Sequence, residues 1–242
     1  VSPVCAPTRS SLLTGRYSLR TGVTDTYNGG AIMSSSEITL AEIFAEKNYK
    51  TGIFGKWHLG DNYPSRPSDQ GFQESLIHLA GGIGQVGDFT NYYAGNESYF
   101  DPALWHNNEI KKYEGYCSDI FTDEALKFIE QNKSNQFFCY LSFNAPHTPL
   151  QVPEKYYDLY KDIDPLNFYE EVTSEMTERD VNDAKKIYGM VTNIDENFGK
   201  LLYKLEELDI KENTIVIFLT DNGPQQTRYV SNLRGLKSEV YN

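Results

Sequence analysis

A chain of 242 residues, 39% hydrophobic and 14% aromatic, is long enough to bury one large core. Its 34 acidic residues against 22 basic ones give a net charge of −12, which excludes nucleic-acid binding through a general basic surface. The same charge leaves room for a small anion held by a local cationic site, and no apolar run approaches the roughly 18 residues of a membrane-spanning helix. In chain order, Thr39-Leu40-Ala41-Glu42 reads as a capping box, followed by Leu40, Ile43, Phe44 and Lys47 at helical spacing. Thr51-Gly52-Ile53-Phe54 reads as a buried strand that leads into Gly55-Lys56-Trp57-His58-Leu59-Gly60. Residues 61 to 117 are rich in Gly, Asn and Tyr and have weak periodicity, which predicts long loops over one edge of the sheet.

A helix follows from about Phe121 to Gln131, with Phe121, Ala125, Phe128 and Ile129 facing inward. The run Phe137 to Phe143 predicts a second strand, ending at Asn144-Ala145-Pro146-His147. The acidic stretch from Asp162 to Asp183 reads as a solvated excursion. The longest helix is expected over 182–208, with a stripe of Ala184, Ile187, Tyr188, Val191, Ile194, Phe198, Leu201, Leu202 and Leu205. A third apolar run, Thr214 to Leu219, leads to Thr220-Asp221-Asn222-Gly223. Continuous apolar strands suit a parallel sheet buried on both faces, and their alternation with helices predicts an α/β layered fold. Ligands bind beyond the carboxyl ends of strands in open sheets of this kind, and all three runs place their polar motifs there. The three cysteines, Cys5, Cys117 and Cys139, have no regular spacing and give neither a disulfide framework nor a zinc motif. Cys139 lies in an apolar run and reads as core.

Cys5-Ala6-Pro7-Thr8-Arg9, continuing as Ser10-Ser11-Leu12-Leu13-Thr14-Gly15-Arg16, resembles the C-x-P-x-R … T-G-R signature of type I, formylglycine-dependent sulfatases. Gly-Lys-Trp-His-Leu-Gly, Ala-Pro-His-Thr-Pro, Thr-Asp-Asn-Gly and Leu233-Arg234-Gly235-Leu236-Lys237 resemble four further segments of that family. Spacing from Gly55 to Gly60 and from Pro146 to Pro153 looks closest to arylsulfatase-B-like members. The resemblance implies an alkaline-phosphatase-like sandwich, a mostly parallel sheet with helices on both faces. It implies that Cys5 is oxidised to formylglycine by a formylglycine-generating enzyme, and that the hydrated aldehyde is the nucleophile. One of its hydroxyls attacks sulfur and expels the alcohol. The other is then deprotonated, and sulfate leaves as the aldehyde re-forms.

Roles for individual residues follow from the same resemblance. Arg9 would hold the hydrated aldehyde, and Lys56 would contact sulfate and the nucleophile's oxygen. His58 would be the base that breaks down the sulfo-enzyme. Extended i, i+2 spacing would put Lys56 and His58 on one side. His147 would bind sulfate, and Lys237 could share with it the protonation of the leaving alcohol. Asp221, Asn222 and residue 5 as formylglycine would hold a hard divalent cation, with Ca2+ expected and Mg2+ possible. His78 reads as structural, while Tyr92, Tyr93, Trp105 and His106 are candidates for a sugar-facing surface. The resemblance further implies that residues 1–242 are part of a sulfatase catalytic domain cut at both ends, from a secreted, periplasmic or lysosomal protein. The expected partner is a sulfated carbohydrate or other sulfate ester, with no nucleic acid and no membrane span. Two alternatives stand beside it: a phosphonate or phosphate monoester hydrolase of the same superfamily, and a non-catalytic sulfated-glycan-binding protein.

Overall fold

The computed structural model describes residues 3–85, 88, 98–168, 176–228 and 235–239. Five strands form one sheet: β1 (Lys50–Lys56), β2 (Glu74–His78), β3 (Ala103–His106), β4 (Glu109–Lys112) and β5 (Phe137–Ser142), in the spatial order β4-β3-β2-β1-β5. The three strands at the heart of the site are parallel, β1 pairing with β2 on one side and β5 on the other. The β3–β4 hairpin adds an antiparallel edge.

Because successive strand residues point to opposite faces, β1 and β2 feed two cores. Ile53 and Ile77 belong to one, with Ala6 and Leu13 of α1 (Cys5–Thr14) and Ala41 of α2 (Leu40–Glu46). Phe54 and Leu76 belong to the other, with Phe121, Ala125 and Phe128 of α3 (Cys117–Gln131). Outside α3 lies α5 (Glu178–Glu207), which also packs on the short α4 (Glu154–Tyr157). Helices therefore cover both faces, as expected.

The caps agree with the sequence. Thr39 Oγ1 accepts the Glu42 amide at 3.2 Å and Glu42 Oε2 accepts the Thr39 amide at 2.8 Å. A second capping box, Thr177 with Asp180, starts α5 at Glu178, four residues before the expected start. The stripe on α5 also differs from expectation. Ala184, Ile187, Ile194 and Leu205 are buried, but Val191 is 47% exposed and Met190 is buried instead. The reason is polar: Asn193 and Asn197 turn inward to donate to Asp119 of α3 at 2.9 and 2.6 Å.

Two expectations are corrected. Residues 61 to 117 are not simply loops, for they contain β2 and the β3–β4 hairpin. Asn107 and Asn108 turn that hairpin with φ of 50° and 68°, the left-handed pair a two-residue hairpin requires. Within β2, the apolar signal is little more than Leu76-Ile77. The third apolar run, Thr214 to Leu219, forms no strand among the described residues. Ile215 is 90% exposed and Ile217 75%, and Phe218 leans on Phe198 of α5 with ring centroids 5.2 Å apart. A strand exists only through a neighbour's hydrogen bonds. Among the described residues the sheet ends at β5, whose residues Phe137–Leu141 are themselves only half-buried. Tyr92, Tyr93, residues 169–175 of the acidic stretch, Leu233 and Arg234 lie outside the described residues.

Gly55 lets β1 and β5 approach at the site. It has φ +124°, and a Cβ there would fall 2.0 Å from the Ser142 carbonyl oxygen. Gly55→Ala is expected to destabilise by more than about 4 kcal/mol, through backbone strain and a clash with backbone that cannot move aside. Urea unfolding of the variant would measure this, and a loss under about 1 kcal/mol would contradict it.

Candidate active site

Cys5 opens α1 directly beyond the carboxyl ends of β1 and β5. Pro7 sits in the helix's first turn, where its missing amide hydrogen costs no helical bond, and Gly15 closes the helix in the left-handed conformation. One turn on from Cys5, the buried Arg9 points back to the sheet. Its Nη1 donates to the Lys56 carbonyl at 2.8 Å, and its Nε lies 4.0 Å from Asp221 Oδ2. The same Lys56 carbonyl accepts Ser142 Oγ at 2.6 Å. The end of β1 is thus tied to α1 and β5 at one atom.

After Lys56 the chain does not stay extended. His58 has φ +59°, so the simple i, i+2 reading fails. Its amide still reaches the Leu79 carbonyl at 3.2 Å. The turn carries the imidazole to Cys5 by a different route. His58 Nε2 lies 2.9 Å from the Thr26 carbonyl. A carbonyl only accepts, so Nε2 carries the proton. Nδ1 is buried with no hydrogen-bond partner among the described residues, and Cys5 and Lys56 are polar neighbours of the ring. Burial holds the His58 pKa below its ordinary value, against the opposing pull of Cys5. His147 Nδ1 donates to the Thr148 carbonyl at 2.8 Å, and the ring neighbours Cys5.

Electrostatics distinguish the three thiols. Burial alone would raise the Cys5 pKa. The neighbouring His147 and His58 rings, then the charges of Lys56 and Lys237, outweigh it and bring the thiol down to about 3. Burial instead pushes the Cys139 thiol up to about 12 and the Cys117 thiol higher still, as befits inert core groups. Lys56, itself buried, is pulled down to about 8 by desolvation, with Arg9 and Lys237 adding to the shift and Cys5 and Asp221 opposing it. Every catalytic or metal candidate named from sequence except Asn222 therefore interacts with another across this one point, whereas Trp105 and His106 lie in β3. Lys237 is held there by backbone bonds from its amide to Pro224 and from Ser238 to Pro3.

A family model described as Sulfatase matches residues 1–241. The chain belongs to the sulfatase family. It is similar to an ulvan-active sulfatase of Formosa agariphila, 30% identical over 92% of this chain and 42% of that protein. It also resembles arylsulfatase J of Mus musculus, 27% identical over 100% of the chain and 39% of that relative. Among solved structures, that of Ps i-CgsB in complex with k-i-k-neocarrahexaose matches with a TM-score of 0.76 and 28% identity, covering 98% of this chain and 52% of the other. The alkaline-phosphatase-like α/β fold is that of these sulfatases. This sulfatase chain spans about half the length of its relatives or less.

The donor set at the end of the 214–219 run fits a hard cation. Asn222 Oδ1 is buried without a hydrogen-bond partner among the described residues, and the Asp221 carboxylate sits beside it in sequence with a 30% exposed side chain. Two such residues are fewer than the six to eight oxygens a Ca2+ ion takes. No group of three or more His, Cys, Asp or Glu that could hold a metal occurs among the described residues.

Several supporting groups carry no motif and escaped sequence reasoning. Tyr99 Oη donates to the His147 carbonyl at 2.7 Å and accepts Asn144 Nδ2, latching the His147 turn. The Thr26 carbonyl and the buried pair His78–Asp88 are the others. A backbone acceptor leaves no side-chain signature, and only the Gly81-Gly82 pair hinted at close approach near Asp88. His78 is structural, as expected. His106 is half-buried against the Tyr113 hydroxyl, and Trp105 sits at its neighbouring position in β3.

Proposed function

We propose that this chain forms part of the catalytic domain of a sulfatase that hydrolyses sulfate esters of carbohydrates, with residue 5 as the nucleophile in its formylglycine form. The observation that carries the reading is the convergence of Arg9, Lys56, His58, His147 and Lys237 on Cys5 at the N-terminus of α1. Three cations in a largely buried site favour a tetrahedral oxyanion that gains charge as it reacts. Conversion of Cys5 by a formylglycine-generating enzyme supplies a hydrated aldehyde, which can release sulfate without water attacking sulfur.

Each residue has a distinct task in this reading. Arg9 and Lys56 hold the oxygens at residue 5 and at the sulfo group. With its Nε2 proton committed to Thr26, His58 presents Nδ1 as the base that takes the second hydroxyl proton. His147 and Lys237 sit where the leaving alcohol departs, and either can return a proton to it. A divalent cation, Ca2+ by family expectation, would be held by Asp221, Asn222 and residue 5, and would polarise the sulfate. The names of the relatives support a sulfated polysaccharide as the substrate class. Among the described residues no helix is long and apolar enough to cross a membrane, and we place the protein in a secreted, periplasmic or lysosomal compartment.

The test is the mass of the Cys5 peptide from the full-length protein in its native host, together with turnover of an aryl sulfate, an aryl phosphonate and sulfated glycans. Formylglycine and sulfate release are expected. Faster phosphonate turnover would replace the reading with the phosphonate hydrolase. An intact thiol, glycan binding and no turnover would replace it with a binding protein.

A further inference from the structure

The chain leaving the end of β2 runs past both imidazoles and is pinned by one carboxylate. Asp88 Oδ1 accepts the amides of Leu79 and Ala80 at 2.9 and 3.3 Å. Its Oδ2 accepts the Gly84 amide at 3.0 Å and lies 3.4 Å from His78 Nδ1. The His78 and Asp88 side chains are 1% and 5% exposed, so the carboxylate is buried, answered by three backbone amides and faced by the His78 ring. Charge-assisted bonds of this kind, shielded from water, fix the backbone they join.

Between the pinned amides lie Gly81 and Gly82, pressed against the site. A Cβ on Gly81 would fall 2.9 Å from both Cε1 and Nε2 of His58. One on Gly82 would fall 2.9 Å from His147 Nδ1 and equally close to the Thr148 carbonyl. The segment is therefore a wall touching both rings. Neither ring is held by regular structure. His58 follows the end of β1 in a left-handed conformation, and His147 lies in the turn after β5.

We propose that Asp88, acting through the Gly81–Gly82 wall, is a positioning residue that fixes the His58 and His147 imidazoles against residue 5. Replacing one Asp88 oxygen by an amide would set a donor against the Gly84 amide or against the Leu79 and Ala80 amides. The wall would then loosen, and both rings would gain freedom. Adding a methyl at Gly81 instead pushes the wall inward. Gly81 does not have positive φ, and the three atoms nearest its Cβ would belong to the side chains of His58 and Gln85. Gly81→Ala therefore displaces the His58 ring without straining the fold. Misplacing a reacting group by a fraction of an ångström to 1 Å can cost about 100-fold in rate.

The inference rests on the hydrolase reading. Its test uses the full-length, converted protein and the variants G81A and D88N. Two readouts are taken: kcat and KM for an aryl sulfate, and the NMR resonance of the His58 imidazole proton that bonds the Thr26 carbonyl. The second does not depend on turnover. G81A is expected to lower kcat about 100-fold with KM changed less than about threefold, to keep the thermal midpoint, and to shift the imidazole resonance. D88N should act in the same direction, with a lower midpoint. Wild-type kcat and an unmoved resonance in both variants would overturn the proposal. So would a D88N that only lowers the midpoint, with kcat per folded molecule kept. If the wild-type protein hydrolyses no sulfate ester but both variants move the resonance, the hydrolase reading fails and the positioning role stands.

Discussion

Replacing Cys5 by Ser in the full-length protein is expected to stop the reaction after a single sulfo transfer. A serine hydroxyl at the start of α1 would still meet Arg9, Lys56 and the two imidazoles, so the first displacement keeps its cationic surroundings. The product is a sulfate ester of serine with no second hydroxyl on the same carbon, and nothing can expel sulfate from it. Intact mass after incubation with an aryl sulfate should therefore rise by one SO3 group, while steady-state turnover falls by at least about 10^4-fold. Cys5→Ala should be equally inactive and gain no mass. Both variants should fold, since residue 5 fills little space and the thiol is not part of a large apolar cluster. Multiple turnovers by Cys5→Ser would sink the mechanism, because they would require water to attack sulfur or the serine ester.

The site was more legible in the sequence than the sheet around it. Cys5, Arg9, Lys56, His58 and His147 sit in short motifs whose residue types are fixed by chemistry, and the fold brings them together. Fold class was readable wherever apolar runs were long: β1, β5 and the inward face of α3. What was hidden depends on partners. β2 is central only because β1 and β3 flank it, and its two apolar residues carry no such information. The opposite error arose at Thr214 to Leu219, where a strong apolar run has no neighbour among the described residues to pair with. The Val191 reading failed for a similar reason. Asn193 and Asn197 are polar in sequence, yet Asp119 on another helix makes their burial favourable. Geometry at His58 was also out of reach, since its amide meets the Leu79 carbonyl just beyond β2.

Lys56→Ala is expected to lower kcat/KM by about 10^3-fold, roughly 4 kcal/mol of lost transition-state stabilisation. The side chain is one of three cations at the site and, with Arg9, among the two most buried. Its pKa of about 8 makes the loss visible in the wild-type protein as well. Burial favours the neutral amine, so the ammonium that holds the sulfo oxygens is present below pH 8 and disappears above it. On the acid side, His58 must be unprotonated to act as a base. Burial lowers its pKa from the ordinary value of about 6.5, so its limb lies below that pH. Because His58 acts after the alcohol has left, its limb appears in the profile of kcat, which should be a bell with its plateau between these limits, while the profile of kcat/KM carries the alkaline limb. Oxidation of Cys5 removes the thiolate that props up the Lys56 ammonium, which places the alkaline limb of the mature enzyme at or below pH 8 rather than above it. Lys56→Arg separates charge from titration. A guanidinium stays protonated throughout, so the variant should be slower at neutral pH, because its fork does not match the ammonium's contacts, yet show no alkaline limb. An alkaline limb unchanged in Lys56→Arg, or a Lys56→Ala variant within threefold of the wild type, would show that this lysine does not hold the reacting sulfate.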